Sequence, residues 1–557
     1  MKKGIASLLF LLAFLLSLKQ ASAQNKEVEI FIKTWGFLKY HHPGIANGNI
    51  DWDSVFVSNV KTVSLSKNKL ACNKQLSKLI TAAGSNDVVD QGDADDTLFT
   101  SNYKSSVLWI DHSPLLDKRM QTKLKDLTNG HYLRINKYIR VVNNTADYSG
   151  ENKYDNIGFP DESHRLLFLS RFWNIINYFA PYKYLVSGHW DNVLNRFIPR
   201  FIAATDSVSY YKVLLELGRS LQDGHCQLSK AYQTTEINNL VFGRYTVPFY
   251  CDLLGDTLMV RKPANDSICR SAGIQKGDII LKADNVPVKQ LIELKKKYIS
   301  ASNKRGELHF LSWFILDGQT PRITLTVKRG SKTFSTTIQR LSSARKNWTD
   351  VINYTSNETG YKKLNDSVLL IYAMQIWKGN LDTLTSLIHS AKAVIFDVRN
   401  YPQNDAFYSI VDPFLSEPSV INYITEPVAD RPAKFRWVQS PKIGRQNPDV
   451  FKGKVVILAD ERTQSQGEYS CMVLQTIPGA VTIGRQTAGA DGLVTYIPMG
   501  GHLTLSYSGY GVYYPDKGQT QRSGIRINIP VEKKIQTTED DTDETMQRAL
   551  KYLKEGH

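Results

Sequence analysis

Cysteine is scarce: 557 residues hold five, Cys72, Cys226, Cys251, Cys269 and Cys471, with no Cys-x-x-Cys. The odd number and wide spacing argue against a disulfide scaffold or a structural metal cluster. Cys251 and Cys269 could pair in an oxidising compartment, which sequence alone leaves open. Cys226 and Cys471 read as small buried side chains. After residue 23 no run of about twenty apolar residues occurs, so no membrane span is expected. Blocks of like charge are missing too. Lys and Arg total 69 against 53 Asp and Glu, a formal charge of +16, but the lysines are scattered. No nucleic-acid partner is expected; the charge reads as a solvated surface biased toward acidic substrates or an anionic envelope. A Gly-x-Ser-x-Gly elbow is absent, since Gln464-Ser465-Gln466-Gly467 lacks the first glycine, which weakens an esterase reading.

What is present begins with an export signal. Lys2 and Lys3 precede an apolar stretch from Ile5 to Leu18, too short to span a membrane, and Ala21-Ser22-Ala23 offers a small-residue cleavage site. The chain is therefore expected to be periplasmic or secreted, with residues 1–23 removed. The length suggests three or more domains: an accessory domain over 24–155, a helical segment over 156–240, a β-domain over 241–345 and an α/β domain over 355–557.

An internal echo marks the first half. Trp35, Tyr40, Pro43, Trp52, Asp53 and Val55 recur as Trp173, Tyr178, Pro181, Trp190, Asp191 and Val193, each offset by 138 residues. Both copies read as an aromatic-rich helix stopped by proline, then a second helix. Buried aromatics dominate core energetics, so the tryptophans read as packing; a duplicated substrate platform is the functional alternative. His41-His42 reads as a helix-end pair, without visible metal partners. The acidic stretch from Asp87 to Asp96 lacks EF-hand spacing and reads as a loop.

The most informative residues are Thr463-Gln464-Ser465-Gln466-Gly467-Glu468. They follow the apolar strand Val455-Val456-Ile457-Leu458 and precede a helical pattern through Leu474. A serine at a strand-to-helix turn projects its hydroxyl where helix-opening N–H groups can hold an oxyanion. The plain alternative is a helix N-cap. Serine needs a base, and a candidate sits in Asp223-Gly224-His225.

From about residue 165 onward the chain resembles the C-terminal processing (tail-specific) serine peptidase family, which includes tricorn-like proteases. The resemblance rests on Thr463-x-Ser465-x-x-Glu468, Asp223-Gly224-His225, Asp397-Val398-Arg399-Asn400, Gly484-x-x-Thr487-x-Gly489, Tyr514-Pro515-Asp516-x-Gly518 and Gln521-x-x-Gly524-Ile525, in family order. It implies a multidomain α/β protein with a helical N-terminal region, a PDZ-like β-domain and a ClpP/crotonase-like core. Ala272-Gly273-Ile274-Gln275-Lys276-Gly277-Asp278 resembles the PDZ hallmark, which would bind an extended peptide tail by strand addition. The departures are specific. Ala490 stands where one branch carries a catalytic lysine, Gln521 where another carries a histidine-orienting glutamate, and Asn400-Tyr401-Pro402-Gln403-Asn404 replaces a glycine-rich oxyanion loop.

The resemblance thus implies a serine endopeptidase acting on exported polypeptides, with cleavage near their C-termini. Ser465 is the nucleophile and His225 the base. Gln521 is the nearest match to the third group. The N–H of Gln466, with donors from Asn400 to Gln403, would hold the oxyanion. Asp223, Asp397, Arg399 and Glu468 support these groups. No metal or cofactor is expected. The alternative is a degenerate PDZ-containing scaffold that binds peptides without cleaving them.

Overall fold

The computed structural model describes residues 25–64, 69–84, 98–99, 106–128, 136–186, 190–343, 360–402, 405–534 and 543–556. The leader expected over residues 1–23, the acidic stretch from Asp87 to Asp96, and Gln403 lie outside these residues. In the first third, helix α1 (25–41) and α2 (Trp52–Ser64) correspond across the repeat to α3 (Glu162–Phe179) and α4 (Asp191–Ala203). Asp161 caps α3 by accepting from His164 N at 3.0 Å, and the helix ends at Ala180, where Pro181 cannot continue it. Helix α5 (Ser207–Arg219) follows.

Each copy is closed by one device. The Trp35 indole donates to Trp52 O (2.8 Å) and the Trp52 indole to Trp35 O (3.0 Å). Trp173 and Trp190 repeat the exchange, at 3.1 Å each way. The two copies pack about a local pseudo-twofold. Equivalent positions Gly36 and Asn174 touch, a Cβ on Gly36 falling 1.9 Å from Asn174 Cγ. The ion pairs are exchanged between copies: Lys33 binds Asp191 (3.0 Å) and its repeat equivalent Arg171 binds Asp53 (2.8 Å). A single apolar core runs from Val28 through Leu228, so the stretches 24–155 and 156–240 share one interior.

That interior holds a buried ionic network. Lys39 reaches Asp53 (3.1 Å) and Glu151 (2.6 Å), and Arg171 reaches Asp53 (2.8 Å) and Glu151 (3.2 Å), every side chain at most 1% exposed. Burial would raise the Asp53 carboxyl, but Lys39 and Arg171 outweigh it and hold it below the usual carboxylate range. Removing one member strands a buried charge. Asp53→Ala is therefore expected to destabilise the helical region by about 3–5 kcal/mol, read as a lower denaturation midpoint.

Strand β1 (Leu228–Lys230) leads to the β-domain. There β2 (Phe249–Leu254), β3 (Thr257–Pro263) and β4 (Ile279–Ala283) join two later strands, β5 (Arg322–Arg329) and β6 (Lys332–Gln339), in the antiparallel order β6-β5-β4-β3-β2. Gly273 and Gly277, both at positive φ, turn the chain into β4. Between β4 and β5 lie α6 (Val288–Lys296) and α7 (Lys304–Phe314).

The last third is an α/β domain. Its sheet runs β7 (Tyr361–Lys363), β8 (Val368–Tyr372), β9 (Ala393–Asp397), β10 (Lys454–Ala459), β11 (Val481–Gly484) and a final pair, Ile529–Pro530, parallel from β8 onward. Alternation along β9 and β10 explains their unbroken apolar sequences. Val394, Phe396, Val455 and Ile457 face one core, while Ile395, Val456 and Leu458 face another. Helix α8 (Gln466–Leu474) follows β10. Its first residue sits at the C-terminal end of the parallel strands, where α/β proteins build their sites. A small antiparallel sheet orders β12 (Val494–Pro498), β13 (Leu503–Ser508) and β1.

All five cysteines are free thiols, including Cys251 and Cys269. Among the described residues no helix is long and apolar enough to cross a membrane.

Candidate active site

Ser465 occupies a sharp turn between β10 and α8, at φ 53° and ψ −120°. A non-glycine residue there lies outside the common wells, including the left-handed helical one, at a cost of about 1–3 kcal/mol. The surroundings hold it. Ser465 N donates to Ala490 O (2.9 Å), and Thr463 Oγ1 donates to Val398 O (3.1 Å), tying the turn to the end of β9. Glycine tolerates such dihedrals. Ser465→Gly is expected to be more stable than Ser465→Ala by about 1 kcal/mol, measured by chemical denaturation.

Glu468, one turn into α8, is fully buried. Its Oε1 accepts from Thr487 Oγ1 (2.5 Å) and Gly489 N (2.8 Å). Its Oε2 accepts from Ala490 N (2.9 Å) and Ser465 N (3.4 Å). Burial pushes this carboxyl up to about 7, against the pull of those donors. The group spans the Ser465 turn and the turn from Thr487 to Ala490, as a brace does.

His225 arrives from the small sheet. Strand β1 pairs with β13 as Leu228↔Leu505, Ser229↔Thr504 and Lys230↔Leu503. Extending that antiparallel register by three residues sets His225 opposite Ser508. The imidazole Nδ1 lies 2.9 Å from Ser508 Oγ, and Ser508 Oγ donates to Asp223 Oδ1 at 3.0 Å. Asp223 also accepts from Ser508 N (2.7 Å) and His225 N (3.0 Å). The carboxylate thus reaches the imidazole through a serine hydroxyl. Burial lowers the His225 pKa, with Asp223 opposing, so the ring is kept neutral and able to accept a proton near pH 7.

Two features bring the serine and histidine loops together. Gln464 Nε2 donates to Gly224 O at 3.3 Å, linking the residues next to Ser465 and His225. Gly224 packs against Ala490: a Cβ on Gly224 would fall 3.0 Å from Ala490 Cβ. The histidine loop therefore fills the space beside position 490, where the Ser-Lys branch would need room for a longer side chain.

Gln521 has a different place from the one its position in the resemblance suggests. Its Nε2 lies 3.3 Å from Asp223 Oδ1 and 3.3 Å from Ser302 Oγ. It touches the carboxylate behind the serine relay, and Ser508 takes the site on the imidazole. A neutral amide donor there satisfies a buried carboxylate that already accepts three other hydrogen bonds. Ser508 and Ser302 were not legible as site residues in the sequence.

The residues that the sequence assigns to the oxyanion lie at the end of β9 and the start of α8. Arg399 grips Asp397 through Nε (2.9 Å) and Nη2 (2.6 Å) and reaches Asp543 through Nη1 (2.8 Å). Asn400 is buried. Gly467 faces this loop, with Pro402 Cδ 3.9 Å from where its Cβ would be. Gln466 opens α8, where backbone N–H groups have no partner within the helix; its side chain lies 3.4 Å from Tyr408 Oη. Beside the histidine loop a cavity of about 460 Å³ is walled by Cys226, Leu228, Phe242, Phe310 and Trp313, suited to an apolar side chain. Among the described residues no group of three or more His, Cys, Asp or Glu could hold a metal ion.

The chain has recognisable relatives. Residues 367–531 match the model of peptidase family S41. No curated protein matches the chain. Among solved structures, mature CPAF complexed with lactacystin aligns at a TM-score of 0.52 and 12% identity, over 71% of this chain and 97% of that one. The photosystem II D1 C-terminal processing protease aligns at 0.38 and 13%, over 66% and 93%. A putative peptidase from Parabacteroides merdae aligns at 0.42 and 14%, over 71% and 97%. The CPAF likeness is one of fold.

Proposed function

We propose that the chain is a serine peptidase of family S41, whose model matches residues 367–531, and that it cleaves exported polypeptides through an acyl-enzyme on Ser465. The observation that carries this reading is the strained backbone of Ser465, φ 53° and ψ −120°, at a strand-to-helix turn joined to the His225 loop through Gln464 and Gly224. An N-cap serine has no need of such dihedrals. In the proposed reaction Ser465 Oγ attacks the scissile carbonyl while His225 takes its proton. His225 then returns the proton to the leaving amine, and water repeats the sequence on the ester. Ser508 and Asp223 hold the imidazole orientation. The N–H of Gln466 and the loop at Asn400 face the developing oxyanion. The leader-like start supports export.

Tail recognition by the β-domain has less support. Helix α7 packs against both the edge strand β2 and helix α6, between which a PDZ-type groove would open. Phe249 and Leu253 share a core with Leu311 and Ile292, and the space left between β2 and α7 is a gap of about 20 Å³ beside Phe249 and Tyr250 and one of about 170 Å³ beside Leu253 and Leu254. The peptide-capturing scaffold alternative draws no support from that packing. The test is digestion of an unfolded protein such as reduced casein by the mature chain. Fragments are expected from the wild type and from neither Ser465→Ala nor His225→Ala; equal fragments from all three would sink the assignment.

A further inference from the structure

The link between α6 and α7 belongs to the β-domain by chain order, yet its hydrogen bonds lie in the active site. Ser302 Oγ accepts from Gly224 N at 2.8 Å, one residue before His225. The same oxygen lies 3.3 Å from Gln521 Nε2, which itself touches Asp223. Ser300 Oγ donates to Asp223 O at 2.8 Å. Asn303 Nδ2 donates to Thr487 O (2.7 Å), on the turn braced by Glu468, and to Arg522 O (3.0 Å). Its Oδ1 caps α7 by accepting from Gly306 N (2.9 Å). Behind the link, Arg219 donates to Lys296 O and Ile299 O (2.7 and 2.6 Å) and pairs with Glu307 (2.5 Å). Ser302 is buried, so each of its bonds is made away from water, where losing one leaves a polar group unsatisfied.

We propose that Ser302 is a positioning residue for His225, seconded by Asn303, and that the β-domain acts as a fixed strut of the catalytic centre. The inference rests on the reading of Ser465 and His225 given above. It assigns the β-domain a part independent of any captured tail. Helix α7 fills the groove region, and its N-terminal link clamps the histidine loop on one side and the Thr487 turn on the other. The Gly224 N–H is thereby fixed, and with it the path of the backbone that aims the imidazole. Displacements of about 1 Å at such a site cost up to a hundredfold in rate.

The test is the rate of Ser465 labelling by a fluorophosphonate probe as a function of pH, in wild type, Ser302→Ala, Ser302→Thr and Asn303→Ser. Asn303→Ser keeps an oxygen for the helix cap but is too short to reach both carbonyls. Ser302→Ala is expected to label about ten- to a hundredfold more slowly at nearly unchanged thermal stability. Its acid limb should move up toward the ordinary histidine value, because a loosened loop admits water to the ring. Ser302→Thr, which keeps the hydroxyl, should recover most of the rate, and Asn303→Ser should fall in between. Wild-type rate and profile in Ser302→Ala would overturn the proposal, as would a loss that tracks stability alone with the acid limb unmoved. Should Ser302→Ala fail to fold, Asn303→Ser is judged on the same readouts. The titration of His225 itself, followed by 15N-histidine NMR with His225→Gln for assignment, reports the same displacement without turnover. A wild type that fails to label would therefore refute the peptidase reading alone, while an unmoved His225 titration would refute the strut.

Discussion

Ser465→Ala is expected to lower peptide hydrolysis by about 10⁴-fold or more, with the fold intact. The hydroxyl is the only atom lost, and the β10–α8 turn is held by contacts that alanine keeps: Ser465 N to Ala490 O, and Thr463 to Val398 O. His225→Ala should fall in the same range, and the double variant should be hardly worse than either alone, because the two groups act as a unit. Comparable residual activity in both single variants, with additive loss in the double, would mean that serine and histidine act separately. Steady-state hydrolysis of a fluorogenic peptide, with circular dichroism to confirm folding, measures this.

Asp223→Ala is the second large effect. Asp223 accepts from Ser508 Oγ, Ser508 N and His225 N, so its removal frees the relay that orients the imidazole. A loss in kcat of about a hundredfold or more is expected, with KM changed far less. The pH dependence separates this variant from mere damage. Burial lowers the His225 pKa and Asp223 raises it in opposition. The wild-type acid limb should therefore lie below the ordinary histidine value of about 6.5. Removing the carboxylate takes away the opposing pull, so the limb should move to still lower pH while the plateau falls. The charged imidazolium is the inactive form, so activity is lost as pH falls through the folded pKa. An acid limb that moves upward in Asp223→Ala would contradict the electrostatic part of this account. Ser508→Ala, which removes the hydroxyl between the two groups, should show a smaller loss in the same direction.

Local patterns carried much of the fold into the sequence. The apolar runs of β9 and β10 announce parallel strands covered on both faces, and the serine at the end of β10 announces a site. The 138-residue offset announces two copies of a tryptophan-bearing helix pair. What it could not announce is the exchange between copies, Lys33 with Asp191 and Arg171 with Asp53, because such pairing is a property of packing. The same limit governs the site. Ser508 meets His225 across 283 residues through a strand register that no local pattern encodes, and Ser302 meets Gly224 across 78. Gln521 drew attention through its position in the family pattern, yet the space at the imidazole is taken by the serine opposite it in the register. The turns at Gly273 and Gly277 that lead into β4 are local and legible. Occupation of the groove region by α7 depends on how an inserted helix packs and is not.

The central claim is that Ser465 is an activated nucleophile. Its most direct test is to treat the full-length mature chain with a fluorophosphonate at neutral pH, digest it with trypsin, and locate the adduct by tandem mass spectrometry. The account predicts a single phosphonylated residue, Ser465, with the adduct missing from His225→Ala. An adduct on another serine, or an unmodified Ser465 under conditions that saturate a known serine hydrolase in the same tube, would contradict it.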